Sequence, residues 1–166
     1  MTSNSHVTAL RNELNILTCL HRFGWLKTRQ IASFVWPASA DGGGYSMAQR
    51  TLRRLKKARR VVAKIAPDGA TVYALGRGGA RYLNEFEGLD AKTTTDGMRT
   101  LANYIHRTRA NDIAIQAILS GRTAWTEFEV QTGKAPVRVL RGKVPDLLLD
   151  WSHKAATGEG EAGSVL

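Results

Sequence analysis

The stretch 46–60, SMAQRTLRRLKKARR, constrains this chain more than any other. At the helical advance of about 100° per residue, it gathers Ala48, Leu52 and Leu55 into one narrow stripe. Ser46, Arg50, Arg53 and Lys57 fall almost diametrically opposite, with Gln49 and Arg54 flanking them. No acid interrupts Arg50, Arg53, Arg54, Lys56, Lys57, Arg59 and Arg60. A helix patterned this way docks by its apolar stripe and turns its cations outward. Charge runs are often only the solvated side of a helix, so the neighbouring elements decide what this one means.

Upstream, Val7, Leu10, Leu14, Leu17 and Leu20 recur at helical spacing and predict a first helix over about 7–21. Cys19 and His21 near its end read as structural, since neither has a partner visible in the sequence. After Phe23-Gly24-Trp25, Thr28 is placed to cap a short second helix from Arg29 to about Val35, with Ile31, Phe34 and Val35 as its apolar side. Pro37 and Asp41-Gly42-Gly43-Gly44 end that helix, and Ser46 caps the third, Met47 to about Ala58. Val61–Ile65 and Thr71–Leu75 are β-prone runs joined by Pro67-Asp68-Gly69, which predicts a hairpin. A helix over 77–87, with Ala80, Leu83 and Phe86 inward, follows it.

Three helices and then a hairpin is the order of a winged helix-turn-helix, whose third helix enters the major groove of double-stranded DNA while the wing lies along the backbone. Charge agrees with that order. The 166 residues hold 24 Lys and Arg against 14 Asp and Glu, and the excess is lopsided: 14 against 5 over residues 1–87, but 10 against 9 over 88–166. Arg pairs with guanine O6/N7 and Gln with adenine N6/N7, so Gln49, Arg50 and Arg53 are the candidates for base readout. Tyr45, Ser46, Arg54 and Lys57 suit phosphates, as do Lys64 on the wing and Thr28 and Arg29 opening the second helix. Arg77 and Arg81 follow just after the wing. A winged helix used purely for protein contacts would show an apolar or mixed-sign face instead.

Other classes are excluded or weakened. A single cysteine rules out an internal disulfide and a cysteine zinc cluster. No apolar run approaches the ~18 residues of a membrane helix, and Met-Thr-Ser-Asn-Ser-His does not open a signal peptide, so the expectation is a cytoplasmic protein without a membrane partner. Gly76, Gly78 and Gly79 lack the spacing of a phosphate-binding loop or dinucleotide fold. No cofactor or metal site is expected.

Several segments together resemble the plasmid replication-relaxation family. They are Leu26-Lys27-Thr28-Arg29-Gln30-Ile31-Ala32, Ala48-Gln49-Arg50-Thr51-Leu52-Arg53-Arg54-Leu55, and the run Val72 to Leu83 leaving the wing. His106-Arg107-Thr108-Arg109-Ala110-Asn111-Asp112 and Val144-Pro145-Asp146 continue the likeness to about residue 150. The resemblance implies a winged helix followed by a smaller α+β region. It also implies site-specific DNA binding in plasmid or mobile-element maintenance or transfer, as an origin or relaxosome accessory factor with replication or transfer proteins as partners. A transcriptional regulator with the same winged helix is the alternative.

The remaining chain completes an α+β fold, with a winged-helix domain over 1–87, a polar linker over 88–97, a helix-plus-sheet module over 98–151 and a flexible tail over 152–166. Met98 to Leu119 reads as one long, mostly apolar helix, the surface best suited to a homodimer. Trp125–Val130, Val137–Arg141 and Asp146–Trp151 read as strands. Pro145-Asp146 opening an apolar strand is similar to the start of a PD-(D/E)xK nuclease core, which holds Mg²⁺ between carboxylates. The x-Lys partner is missing: Glu159 and Glu161 lie in a Gly-rich stretch, and Ser164-Val165-Leu166 reads as the opening of another strand, leaving such a core incomplete. The expectation is therefore a protein that is not an enzyme, with a metal-dependent nuclease of this type using Asp146, incomplete in this chain, as the second alternative. His106 and Asp112, six residues apart, fall on different faces of a helix and do not suggest a joint site.

Overall fold

The computed structural model of the chain describes residues 2–39, 42–99, 101, 103–137 and 144–150. The first half runs α1 (Thr2–Phe23), β1 (Trp25–Lys27), α2 (Thr28–Val35), α3 (Gly43–Lys57), β2 (Val61–Ile65), β3 (Thr71–Leu75) and α4 (Arg77–Glu87). The strands form an antiparallel sheet in the order β1-β3-β2, with Leu26 opposite Tyr73 and Val62 opposite Ala74. One sheet face closes on the helices: Ile16, Leu17, Leu20 and Phe23 of α1 meet Ile31, Leu52, Leu55, Leu75 and Leu83, all fully buried or nearly so. The stripe on α3 is what seats it there.

After α4 come a 3₁₀ turn (Thr95–Met98), α5 (Tyr104–Leu119), β4 (Ala124–Thr126), α6 (Glu127–Gln131) and β5 (Leu147–Leu149), with β4 and β5 paired antiparallel. The chain is thus α+β with two small antiparallel sheets. Its second half covers the other face of the first sheet. Trp25, Val72 and Ala74 form a second core with Met98, Leu101 and Tyr104. Trp25 stacks on Tyr104 at 5.6 Å between centroids, and the Arg107 guanidinium lies 5.3 Å from the Trp25 ring. The stretch expected as a linker is held down as well: Ala91 and Thr94 are buried, the Asn84 amide brackets the Ala91 backbone at 2.6 and 3.1 Å, and the Thr94 hydroxyl donates to the Gly24 carbonyl while accepting from the Leu75 N–H.

Several sequence expectations need correction. The helix expected over 98–119 is broken, because Leu101 and Asn103 take left-handed φ of 47° and 55°; the turn lets Met98, Leu101 and Tyr104 all reach the sheet. The strand expected over Trp125–Val130 lasts three residues and becomes α6. Thr126 caps that helix: its hydroxyl accepts from the Glu129 N–H at 3.1 Å and the Glu129 carboxylate accepts from the Thr126 N–H at 2.8 Å, a capping box that overrides the alternation. Neither Thr28 nor Ser46 is an N-cap. Lys27 precedes α2, its N–H donating to Gln30 Oε1, and α3 begins four residues early because Gly42 supplies the left-handed cap at φ 74°. Phe86, expected inward, is 66% exposed and leans on Tyr82 instead. Most of the strand expected over Val137–Arg141, and the tail 152–166, lie outside the described residues.

Gly76-Arg77-Gly78-Gly79 has a steric explanation. The start of α4 runs so close to the end of α3 that a Cβ on Gly79 would lie 2.3 Å from the Arg60 carbonyl oxygen, and one on Gly78 2.8 Å from that of Arg59.

Candidate nucleic-acid interface

Because Ala48, Thr51, Leu52 and Leu55 are buried, α3 turns Tyr45, Ser46, Gln49, Arg50, Arg53, Arg54 and Lys57 to the surface. Gln49 and Arg53 line a cleft of about 1070 Å³ between α3, the start of α2 and the hairpin turn. Thr28 and Arg29 form its α2 wall, Trp36 just past that helix and Tyr45 of α3 adjoin them, and Gly69, Thr71 and Tyr73 form its hairpin wall. Gln116 and Leu119 of α5 close one side. The cleft is therefore shaped by both halves of the chain.

The cations on this surface are not equivalent. Arg50, Lys57 and Arg29 are exposed, whereas Arg54 pairs with Glu13 of α1 at 3.0 Å, and the same carboxylate takes Arg60 at 2.8 Å. The Arg53 Nε reaches the Gln49 carbonyl one turn back at 3.4 Å, a long hydrogen bond that leaves its guanidinium toward the cleft. Thr28 is buried at the cleft wall. Lys64 is committed elsewhere: its ammonium donates to the carbonyls of Met98 and Arg99 at 2.9 and 2.6 Å, tying β2 to the segment that covers the sheet.

The hairpin turn is fastened in the same way. Asp68 accepts from the Lys27 ammonium at 2.9 Å and from the Tyr104 hydroxyl at 2.7 Å. Lys27 above all, with Tyr104 and the Ala70 N–H, holds the Asp68 carboxyl down at about 2. Burial raises the Tyr104 phenol. Behind the cleft, Gln30 donates to Asp112 at 2.8 Å and to the Thr108 carbonyl at 3.0 Å, joining α2 to α5.

Away from the cleft, His106 Nε2 lies 2.9 Å from Asp146 Oδ2, both side chains being at least half exposed. Asp112, considered beside His106 in the sequence, accepts from Gln30 instead. Among the described residues no three His, Cys, Asp or Glu gather as a metal would require, and no helix is long and apolar enough to cross a membrane. The sequence did not single out Glu13, Trp36, Tyr73 or Tyr104 for this surface. They come from separate elements, and only the fold brings them together.

No curated protein and no solved structure matches the chain. The family model described as replication-relaxation matches residues 17–162, from the middle of α1 through the cleft and both sheets. That span takes in most of the sequence, and the chain belongs to the replication-relaxation family, which points to replication or transfer of plasmids and other mobile elements.

Proposed function

We propose that this protein is a site-specific, non-enzymatic double-stranded DNA-binding factor acting in plasmid or mobile-element replication or transfer. In this reading residues 1–87 act as a winged helix, with α3 in the major groove and the β2–β3 hairpin as the wing. One observation carries it: the exposed side of α3 bears cations and the Gln49 amide without an acid of its own, and it opens onto a cleft walled by further polar side chains. Gln49, Arg50 and Arg53 are assigned to base edges, and Arg29, Tyr45, Ser46 and Lys57 to phosphates. Arg54 contributes less because Glu13 already neutralises it. Lys64 and Thr28 support the geometry instead of touching DNA.

Selection from random duplexes, followed by binding titrations, tests this directly. A recovered consensus is expected, with Arg53→Ala costing about 1–3 kcal/mol at one position of it. The reading fails if the selected pool shows no consensus, or if Arg50→Ala and Arg53→Ala both leave affinity unchanged.

A further inference from the structure

A second basic surface lies at the other end of α3. Arg59, Arg77 and Arg81, with the hydroxyls of Thr93 and Thr95, line a cleft of about 620 Å³ that has no acid in its wall. Among the described residues Arg59 and Arg77 have no ion pair, and Arg81 has only a 3.9 Å approach to Glu85, both side chains largely in solvent. The start of α4 also meets this cleft through Arg77 and Gly78. The carbonyls of Arg59 and Arg60 pack against the first turn of α4, so the positive charge of this cleft is that of its three arginines.

Arg59 sits just past α3 with φ 55°, as the chain closes through Arg59 N–H to the Lys56 carbonyl at 3.0 Å and Arg60 N–H to the Leu55 carbonyl at 2.9 Å. This is the position where helices ordinarily place glycine to avoid strain. Arg59 thus holds a strained conformation at the cleft that Arg77 and Arg81 also line.

We propose that this cleft binds a phosphate group of the DNA backbone, and that the DNA is the same duplex that α3 reads. The inference rests on the DNA-binding reading of α3. Arg50, Arg53, Lys57 and Arg59 follow one another along and beyond that helix. Seven residues separate Arg50 from Lys57 at the end of α3, about 10 Å at 1.5 Å per residue, or roughly the rise of three base steps at 3.4 Å each, and Arg59 lies beyond that end. The cleft lies past the C-terminal end of α3, at the start of α4, so the phosphate it takes is one outside the stretch that α3 reads. It takes a phosphate by charge and by hydrogen bonds from Arg and Thr side chains and reads no base.

The test measures affinity of the full chain for a labelled duplex across a salt series. Replacing Arg59 and Arg77 by Gln is expected to lower the slope of log K against log salt by about 0.9 for each phosphate that is no longer neutralised, equally for selected and random sequences. Arg59→Gly separates binding from folding: it relieves the left-handed strain, so the thermal midpoint is expected to rise while DNA affinity falls. Inorganic phosphate, titrated while amide resonances of Gly78 and Gly79 are followed, is expected to shift them in the wild type and not in Arg77→Gln. An unchanged salt slope in the double variant overturns the proposal, and an unchanged slope with phosphate-sensitive amides reassigns the cleft to a free phosphate. If Arg50→Ala and Arg53→Ala abolish DNA binding while the Arg59 and Arg77 variants do not weaken it, only this inference falls. If the wild type binds no DNA, the reading of α3 falls first.

Discussion

Replacing Gly79 by Ala should destabilise the fold, although Ala is the better helix former. In an open helix the change would gain about 1 kcal/mol. Gly79 is not in the open: its new Cβ would sit 2.3 Å from the Arg60 carbonyl oxygen and 2.7 Å from Leu75 Cδ1. Arg60 has little room to yield, because its side chain is tied to Glu13 at 2.8 Å and lies 4.1 Å over the Tyr82 ring. Its carbonyl already accepts from the Gly76 N–H at 2.9 Å. Forcing α4 away costs about 1–3 kcal/mol of overpacking strain and weakens that hydrogen bond by about 1 kcal/mol. Set against the propensity gain, the net loss is about 2 kcal/mol, or about 4–8 °C in Tm for a chain of this size. Urea unfolding monitored by circular dichroism measures it, with an unchanged m-value showing that the denatured state is the same. Gly43→Ala is the matched control: nothing lies within 4 Å of its Cβ position, so that variant should match the wild type or exceed it by up to about 1 kcal/mol. If Gly79→Ala proves as stable as Gly43→Ala, the close approach of α4 to the end of α3 is refuted.

Lys64→Met should cost about 1 kcal/mol of stability by removing the hydrogen bonds to Met98 and Arg99 while leaving the salt slope of DNA binding unchanged; a reduced slope would return Lys64 to the phosphate-binding set. Asp68 titrates lower in the folded chain, at about 2, than the ordinary carboxyl near 3.9. Its stabilisation is therefore present above about pH 4 and lost as pH falls toward 2, and Asp68→Asn should flatten the thermal midpoint in that window. Glu13→Gln removes the partner of both Arg54 and Arg60. It should lower stability by up to about 1 kcal/mol and tighten binding to random duplex DNA, and weaker binding would contradict the view that Glu13 masks Arg54.

The parts of the fold that were legible in the sequence are those where one local signal met no competitor. The α3 stripe of Ala48, Leu52 and Leu55 and the hairpin around Pro67-Asp68-Gly69 emerge as their spacing and turn residues require. Residues 124–131 went the other way, since Phe128 and Val130, set between Glu127, Glu129 and Gln131, mimic a strand's alternation while Thr126 and Glu129 write a helix cap; the cap satisfies backbone N–H groups and prevails. The break before Tyr104 carries only a weak mark, Asn103, a residue that tolerates the left-handed region. At the cleft, the basic side of α3 was readable from angles alone. The role of Lys64 was not, because its partners are backbone carbonyls 34 and 35 residues away, which no pattern of side chains encodes.

The burial of the first sheet on both faces has a thermodynamic consequence. Tyr104 holds the hairpin turn, Asp112 holds α2, and Gln116 and Leu119 wall the cleft, so one helix, α5, touches three sides of the proposed DNA surface. Any partner that binds the second half and favours one placement of α5 must change affinity at the cleft, and DNA in the cleft must change that partner's affinity by the same factor.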